Sequence, residues 1–140
     1  MMKIGPCGFC RSQEYIFKNF NVVELQNTFY DFVKDETIKK YREKAPENFE
    51  FTIKAIQIIT HEKNSPTYRR FKSKNFNMDN FGNFKLNADT ERAMEKMLGY
   101  AKILKSKIII FQSPPTFHES DENKKNVFEF FRTFKSNEIT

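Results

Sequence analysis

Glu24 and Lys54 are the residues of this sequence best suited to acid–base work. Glu24 stands inside the β-branched run Val22-Val23-Glu24-Leu25, and Lys54 near the end of the alternating segment Phe49 to Ala55. A carboxylate carried into an apolar strand must find a partner or take up a proton, and either outcome suits a general acid or base. Lys54 is the natural partner, and the same two residues could equally close a buried ion pair without any catalysis. His61 opens a polar stretch and could serve as an acid or base, a metal ligand or a donor to phosphate. The plainer alternative is an imidazole bonded to loop backbone. Cys7 and Cys10, the two cysteines of the chain, form a single C-x-x-C, which in a reducing compartment reads as free thiols, a redox pair or metal ligands. Catalytic zinc prefers three protein ligands on a regular spacing such as H-E-x-x-H. That pattern is absent, as are a P-loop and a G-x-G-x-x-G, so neither a metal nor any other cofactor is indicated.

A second chemistry is carried by charge. The net charge is +6, with 18 Lys against 6 Arg, a balance that favours anionic partners such as nucleic acid or phosphorylated metabolites. Between Lys63 and Met78 stand Lys63, Arg69, Arg70, Lys72 and Lys74 with no acidic residue, and Tyr68, Phe71 and Phe76 interleave with them. Arg69, Arg70, Lys72 and Lys74 could follow a phosphate backbone while the rings stack on bases. The alternative is a solvated loop whose aromatic residues cover the rim of the fold. No apolar run approaches the ~18 residues of a membrane span, and the first residues lack the apolar core of a signal peptide. A cytoplasmic protein without membrane contact is expected.

The elements that must position these residues alternate between two periods. Short strands are expected at Lys3–Gly5, Val22–Leu25, Phe49–Ala55 with its apolar continuation through Ile56, Ile58 and Ile59, and Lys107–Gln112. The last of these, with Ile108-Ile109-Ile110-Phe111 unbroken, fits a strand covered on both faces. Helices are expected from about Glu14 to Asn19, from an Asp35 cap with Ile38, Tyr41 and Ala45 on one face until Pro46, and from near Asp89 with Ala93, Met94, Met97, Leu98, Ala101 and Leu104 inward. A last helix, capped by Ser120, is expected to bury Val127, Phe128, Phe131 and Phe134. Strand and helix in alternation predict an α/β fold with a parallel sheet. The pattern by itself admits an open doubly wound sheet or about four of the eight units of a barrel.

Four segments, in order, carry a resemblance that separates those folds. They are Ile4-Gly5-Pro6-Cys7-Gly8-Phe9, then Val22-Val23-Glu24-Leu25-Gln26-Asn27-Thr28-Phe29-Tyr30, then Phe49 to Ala55 with Ile59-Thr60-His61, and Phe111-Gln112-Ser113-Pro114-Pro115-Thr116-Phe117. Together they resemble the YecE-like family, domain-of-unknown-function family 72, over the first half of its domain. Gln26 stands where many members carry Asn, Phe9 where many carry Trp, and Pro6 and Cys7 replace small hydroxyl residues. The resemblance implies one partial domain over residues 1–140, built as a half-barrel or truncated barrel of TIM-barrel-like (β/α) units. It implies no reaction.

Barrel proteins hold their sites where strands end, and every segment of the resemblance lies there. It therefore implies a basin in which Glu24, Lys54 and His61 are candidate catalytic groups and Asn27, Thr28, Tyr30 and Gln112 candidate binding groups for a small anionic, phosphorylated or sugar-like substrate. Nucleic-acid binding through the 63–78 segment and a truncated barrel without activity are the alternatives. Four units leave two sheet edges unpaired, and a homodimer could complete the barrel.

Overall fold

A computed structural model of the chain describes residues 2–135. Met1 and residues 136–140, which belong to the expected domain, lie outside the described residues. Three strands, β1 (Val22–Leu25), β2 (Glu50–Lys54) and β3 (Ile108–Ile110), form one parallel sheet in the order β1-β2-β3. Helices occupy every connection: α1 (Gln13–Asn19) precedes β1, α2 (Asn27–Tyr30) and α3 (Asp35–Lys44) follow it, α4 (Gln57–Thr60) and α5 (Ala88–Leu104) follow β2, and α6 (Asp121–Thr133) follows β3. Parallel strands need such crossovers because a tight turn can only reverse the chain.

The alternation read in the sequence appears as two sheet faces. Val23, Leu25, Phe51 and Ile53 are buried, whereas Glu24, Thr52 and Lys54 are half-buried on the opposite face. The pairing sets Glu24 opposite Thr52 and Leu25 opposite Ile53. Glu24 and Lys54 thus share a face but sit two residues apart in register. Lys54 in turn pairs with Ile110.

The expected strand at Lys3–Gly5 does not form. Pairing comes two residues later, as a bridge between Cys7 and Glu24 in which Glu24 N–H donates to the Pro6 carbonyl (3.1 Å) and Gly8 N–H to the Glu24 carbonyl (2.7 Å). Two local features keep it to a bridge: Pro6 has no N–H to give, and Gly8 turns away at φ +77°. Gly5 passes so close to β1 that a Cβ there would lie 1.9 Å from the Val22 carbonyl oxygen.

Ile56, Ile58 and Ile59 are fully buried, but Ile58 and Ile59 belong to α4 and Ile56 stands at its N-cap, so they do not prolong the strand. A short apolar run buried on every side has the same composition in either conformation. The strand stops where its partner does, with Ala55 N–H on the Ile110 carbonyl as the last ladder bond. β3 is shorter than the expected Lys107–Gln112, and Ile108 stays 42% exposed because the strand lies at the edge of the described sheet.

Helix faces follow the same physics. Asp35 is the first residue of α3 rather than its cap, which is Lys34; its carboxylate meets Lys96 Nζ at 2.8 Å and ties α3 to α5. The start of α5 is held by a capping box, in which Asn87 Oδ1 accepts from the Asp89 and Thr90 N–H groups and Thr90 Oγ1 answers Asn87 N–H. Its apolar stripe buries Ala93, Met94, Met97, Ala101 and Leu104 together with Tyr100. α6 departs from expectation. Phe130 is its buried residue, while Phe128 and Phe131 are 65% and 43% exposed. Phe130 seats on Phe84 and Phe111, whose rings lie 5.7 and 5.9 Å away, and Phe131 packs on the same two rings from the rim at 5.7 and 5.1 Å, so the inner face runs through Phe130 and turns away from Phe128.

The polar stretch after α4 is ordered by aromatic packing. Two 3₁₀ turns, Pro66–Arg70 and Met78–Asn80, bring Tyr68, Phe71, Phe76 and Phe81 into one cluster. The stretch returns to α4 at Gly82, whose N–H bonds the Ile58 carbonyl (2.8 Å). At φ +86° and with Glu62 N only 2.6 Å from where a Cβ would stand, this position admits only glycine without strain.

Candidate functional site

The C-terminal ends of β1 and β2 gather the polar candidates, through a residue that the motif reading passed over. Continuing the pairing one step beyond Leu25 and Ile53 brings Gln26 level with Lys54. Lys54 Nζ accordingly donates to Gln26 Oε1 at 3.3 Å, and Gln26 Nε2 donates to Glu24 Oε1. Glu24 and Lys54 therefore do not form the direct ion pair that their types suggested. An amide stands between them with its acceptor toward the ammonium and its donor toward the carboxylate, so both charges are met in one arrangement only. Gln26 occupies a variable position of its motif. The signal that could have found it is the two-residue spacing from Glu24, which puts both side chains on one face of a strand.

Lys54 Nζ also sits 4.5 Å from the centroid of the Phe29 ring, and the same ring meets His61 edge-on at 5.0 Å. His61 is 6% exposed. Its Nδ1 lies 2.8 Å from Thr60 Oγ1, and its carbonyl accepts from the Tyr68 hydroxyl at 2.7 Å. Burial first, and the nearby Lys54 charge second, push the imidazole below its ordinary pKa, so His61 is neutral at neutral pH. A neutral imidazole beside an ammonium is a competent proton acceptor or hydrogen-bond donor, and a poor electrostatic anchor for an anion.

The four candidate binding residues separate into distinct roles. Thr28 is fully buried, and its hydroxyl is placed on the carbonyls of Leu25 (3.0 Å) and Lys54 (2.7 Å). It clamps α2 to the end of β2 and faces no solvent, which makes it a structural residue rather than a ligand contact. Asn27 is exposed and donates to the Tyr41 hydroxyl at 3.1 Å. Tyr30 presents its ring to Arg70, whose guanidinium carbon lies 4.5 Å from the ring centroid. Gln112 is exposed beyond β3 and makes no hydrogen bond with Glu24, Gln26 or Lys54.

A cleft of about 380 Å³ opens at this end of the sheet. It is lined by Gly8, Phe9, Gln26, Asn27, Tyr30, Tyr41 and Arg70. Arg70 is exposed, and among the described residues no carboxylate pairs with it. It had stood out in the sequence as part of the basic run; the 3₁₀ turn Pro66–Arg70 brings it here instead.

The rest of the basic run behaves differently from a base-stacking surface. Arg69, Lys72 and Lys74 are exposed. The rings, however, are turned inward: Tyr68 is 9% exposed and stacks on Phe81 at 5.4 Å, and Phe76 is flanked by Phe32 (5.3 Å, stacked) and by Arg92 (4.0 Å). These aromatic residues build the loop, with Tyr68 buried and Phe71 and Phe76 half-buried in it. Cys7 and Cys10 are free and exposed, with the Cys7 thiol donating to Glu24 Oε2 at 3.8 Å. Among the described residues no three or more His, Cys, Asp and Glu side chains gather as a metal site would require, and no helix is long and apolar enough to cross a membrane.

Sheet, crossovers and strand-end polar groups together define an α/β protein of parallel β–α units. A family profile described as "Protein of unknown function DUF72" matches residues 12–139. The chain belongs to that family, and the resemblance carried by the four segments is borne out, although the match begins after the first of them. The fold is also similar to the crystal structure of a DUF72 family protein from Enterococcus faecalis, at 19% identity and a TM-score of 0.71. That similarity covers 97% of this chain and 49% of the other, so the chain spans about half the length of this neighbour. No curated protein matches the chain.

Proposed function

We propose that the chain contributes the first β–α units of a TIM-barrel-like fold and that its strand-end cleft binds a small anionic, phosphorylated or sugar-phosphate ligand. The architectural half of this reading is supported by strand order. The sheet runs β1-β2-β3 in sequence order with no reversal, as an arc of a barrel does, whereas a doubly wound sheet reverses at a switch point. The half-buried polar face carrying Glu24, Thr52 and Lys54 would then face the barrel interior. The sheet would continue past β3, where Ile108, Phe128 and Phe131 remain exposed, through further units or a second copy of the chain. Sedimentation over a concentration series separates these, since pairing of copies requires a defined dimer.

One observation carries the ligand reading: Arg70, unpaired with any carboxylate among the described residues, lies on the Tyr30 ring in a cleft that also offers the Gln26 and Asn27 amides. A guanidinium held on an aromatic face keeps its in-plane donors for a planar or tetrahedral anion. Lys54 is one hydrogen bond further in, through Gln26. Glu24 and neutral His61 are the groups near it that could move a proton.

The test is a titration of the protein with inorganic phosphate and with ribose 5-phosphate, followed by heteronuclear NMR shifts. Binding is expected to perturb Gln26, Asn27 and Arg70. Arg70→Ala should weaken it by about tenfold or more, since a hydrogen bond to a charged group contributes roughly 1.5–3 kcal/mol. Equal binding by the variant, or no binding of either ligand at millimolar concentration, would overturn the reading.

A further inference from the structure

The cleft that holds Arg70 is also lined by Gly8 and Phe9, the two residues enclosed by Cys7 and Cys10. Both thiols are exposed and unbonded to one another. The chain folds back between them: Gly8 takes φ +77°, and Cys10 N–H returns to the Gly8 carbonyl at 3.1 Å. Disulfide closure needs Cα atoms roughly 4.4–6.8 Å apart, a span that the three peptide steps from Cys7 to Cys10 can adopt. The two thiols are unequal. Cys7 points its S–H at Glu24 Oε2, while the Cys10 thiol bonds to no side chain among the described residues.

We propose that Cys7 and Cys10 are a peroxide-oxidisable dithiol whose disulfide reshapes the Gly8–Phe9 wall of the cleft. Cys10, as thiolate, attacks one peroxide oxygen. The O–O bond breaks, Cys10 becomes a sulfenic acid, and the other oxygen leaves as hydroxide or alkoxide and takes a proton from water. The Cys7 sulfur then attacks the Cys10 sulfur. Its proton passes to the Glu24 carboxylate and on to the departing hydroxide, which leaves as water. The two thiols lose two electrons and two protons, and the peroxide takes up both. The new bond withdraws Cys7 from Glu24 and pulls on Phe9, whose ring packs on Phe17 (5.9 Å) and on Tyr41 (5.2 Å). Tyr41 both lines the cleft and holds Asn27, so the strain is delivered to the ligand-facing side. This coupling rests on the reading of the cleft as an anion site; the thiol chemistry does not.

The experiment treats the full chain with stoichiometric hydrogen peroxide and measures intact mass and phosphate binding on the same samples. Expected is a loss of about 2 Da per chain, reversed by dithiothreitol, with migration as a monomer under non-reducing conditions. A gain of about 32 Da at either cysteine, or a disulfide between chains, overturns the dithiol. Cys10→Ser should abolish the 2 Da loss. For the coupling, ribose 5-phosphate affinity should change at least about threefold on oxidation and recover on reduction, and the Cys7→Ser/Cys10→Ser double variant should not respond to peroxide. Equal affinity of the reduced and oxidised forms overturns the coupling while the mass result stands. Absence of binding to the reduced form removes the anion site and the coupling with it, and leaves the dithiol to be judged by mass.

Discussion

Replacing Thr28 by Val removes one oxygen from the structure and nearly nothing else. The Thr28 hydroxyl is fully buried and lies 2.7 Å from the Lys54 carbonyl and 3.0 Å from that of Leu25. A methyl in its place can donate to neither, and water cannot reach the site to compensate. A buried acceptor deprived of its donor costs roughly 1–3 kcal/mol. Two carbonyls share this donor, but the hydroxyl carries a single proton, so one lost bond sets the scale. For a chain of this size the loss corresponds to a fall in melting temperature of about 3–5 °C per kcal/mol. Urea unfolding should show the midpoint falling with an unchanged slope, the mark of altered stability with unaltered compactness. Thr28→Ser keeps the oxygen and loses the methyl, and so should cost about 1 kcal/mol from lost burial while keeping α2 docked on β2. The Asn27 and Tyr30 resonances, which report α2, should shift in the Val variant and hold in the Ser variant. A Val variant as stable as the parent, within about 0.5 kcal/mol, would refute the clamp, as would a Ser variant less stable than the Val one.

His61 makes a pH-dependent contribution whose sign follows from its lowered pKa. The unfolded imidazole takes a proton near its ordinary value of 6.5, the folded one only at lower pH, so between those values the unfolded state holds more protons and stability climbs with pH. The contribution should be complete above that value and be lost as the pH falls through the folded pKa. The unfolding free energy of the parent minus that of His61→Gln, measured from pH 5 to 7.5, should therefore decline toward acid, and a flat difference would contradict the burial argument. Lys54→Met removes the secondary cause and should raise the imidazole pKa, read by NMR titration. On α6, Phe130→Ala should cost about 3–5 kcal/mol, because it empties a packed aromatic site. Phe128→Ala, at a position 65% exposed, should stay within about 0.5 kcal/mol; thermal unfolding of the pair checks which face is inward.

What the sequence determined by itself is local and periodic. The two-residue alternation of Phe49 to Lys54 needs no knowledge of neighbours to mark a strand with one buried face, and the spacing of Ala93, Met97, Ala101 and Leu104 likewise marks the inner stripe of α5. Four motifs in order were enough to place the chain in its family. Tertiary structure decided everything that depends on which groups meet. Positions 128, 130 and 131 of α6 are all Phe, and the rings of Phe84 and Phe111 take up Phe130 and Phe131 while Phe128 stays exposed. The run Ile56 to Ile59 is equally apolar as strand or helix, and it turns where β3 ends. Most of all, Glu24 and Lys54 have complementary charges, but strand register offsets them by two residues and sets Gln26 between them. Arg70, forty-four positions beyond Gln26 in sequence, reaches the same cleft because the aromatic loop folds back over the strand ends. Type and period are properties of a segment; register, facing and convergence belong to the whole packed chain.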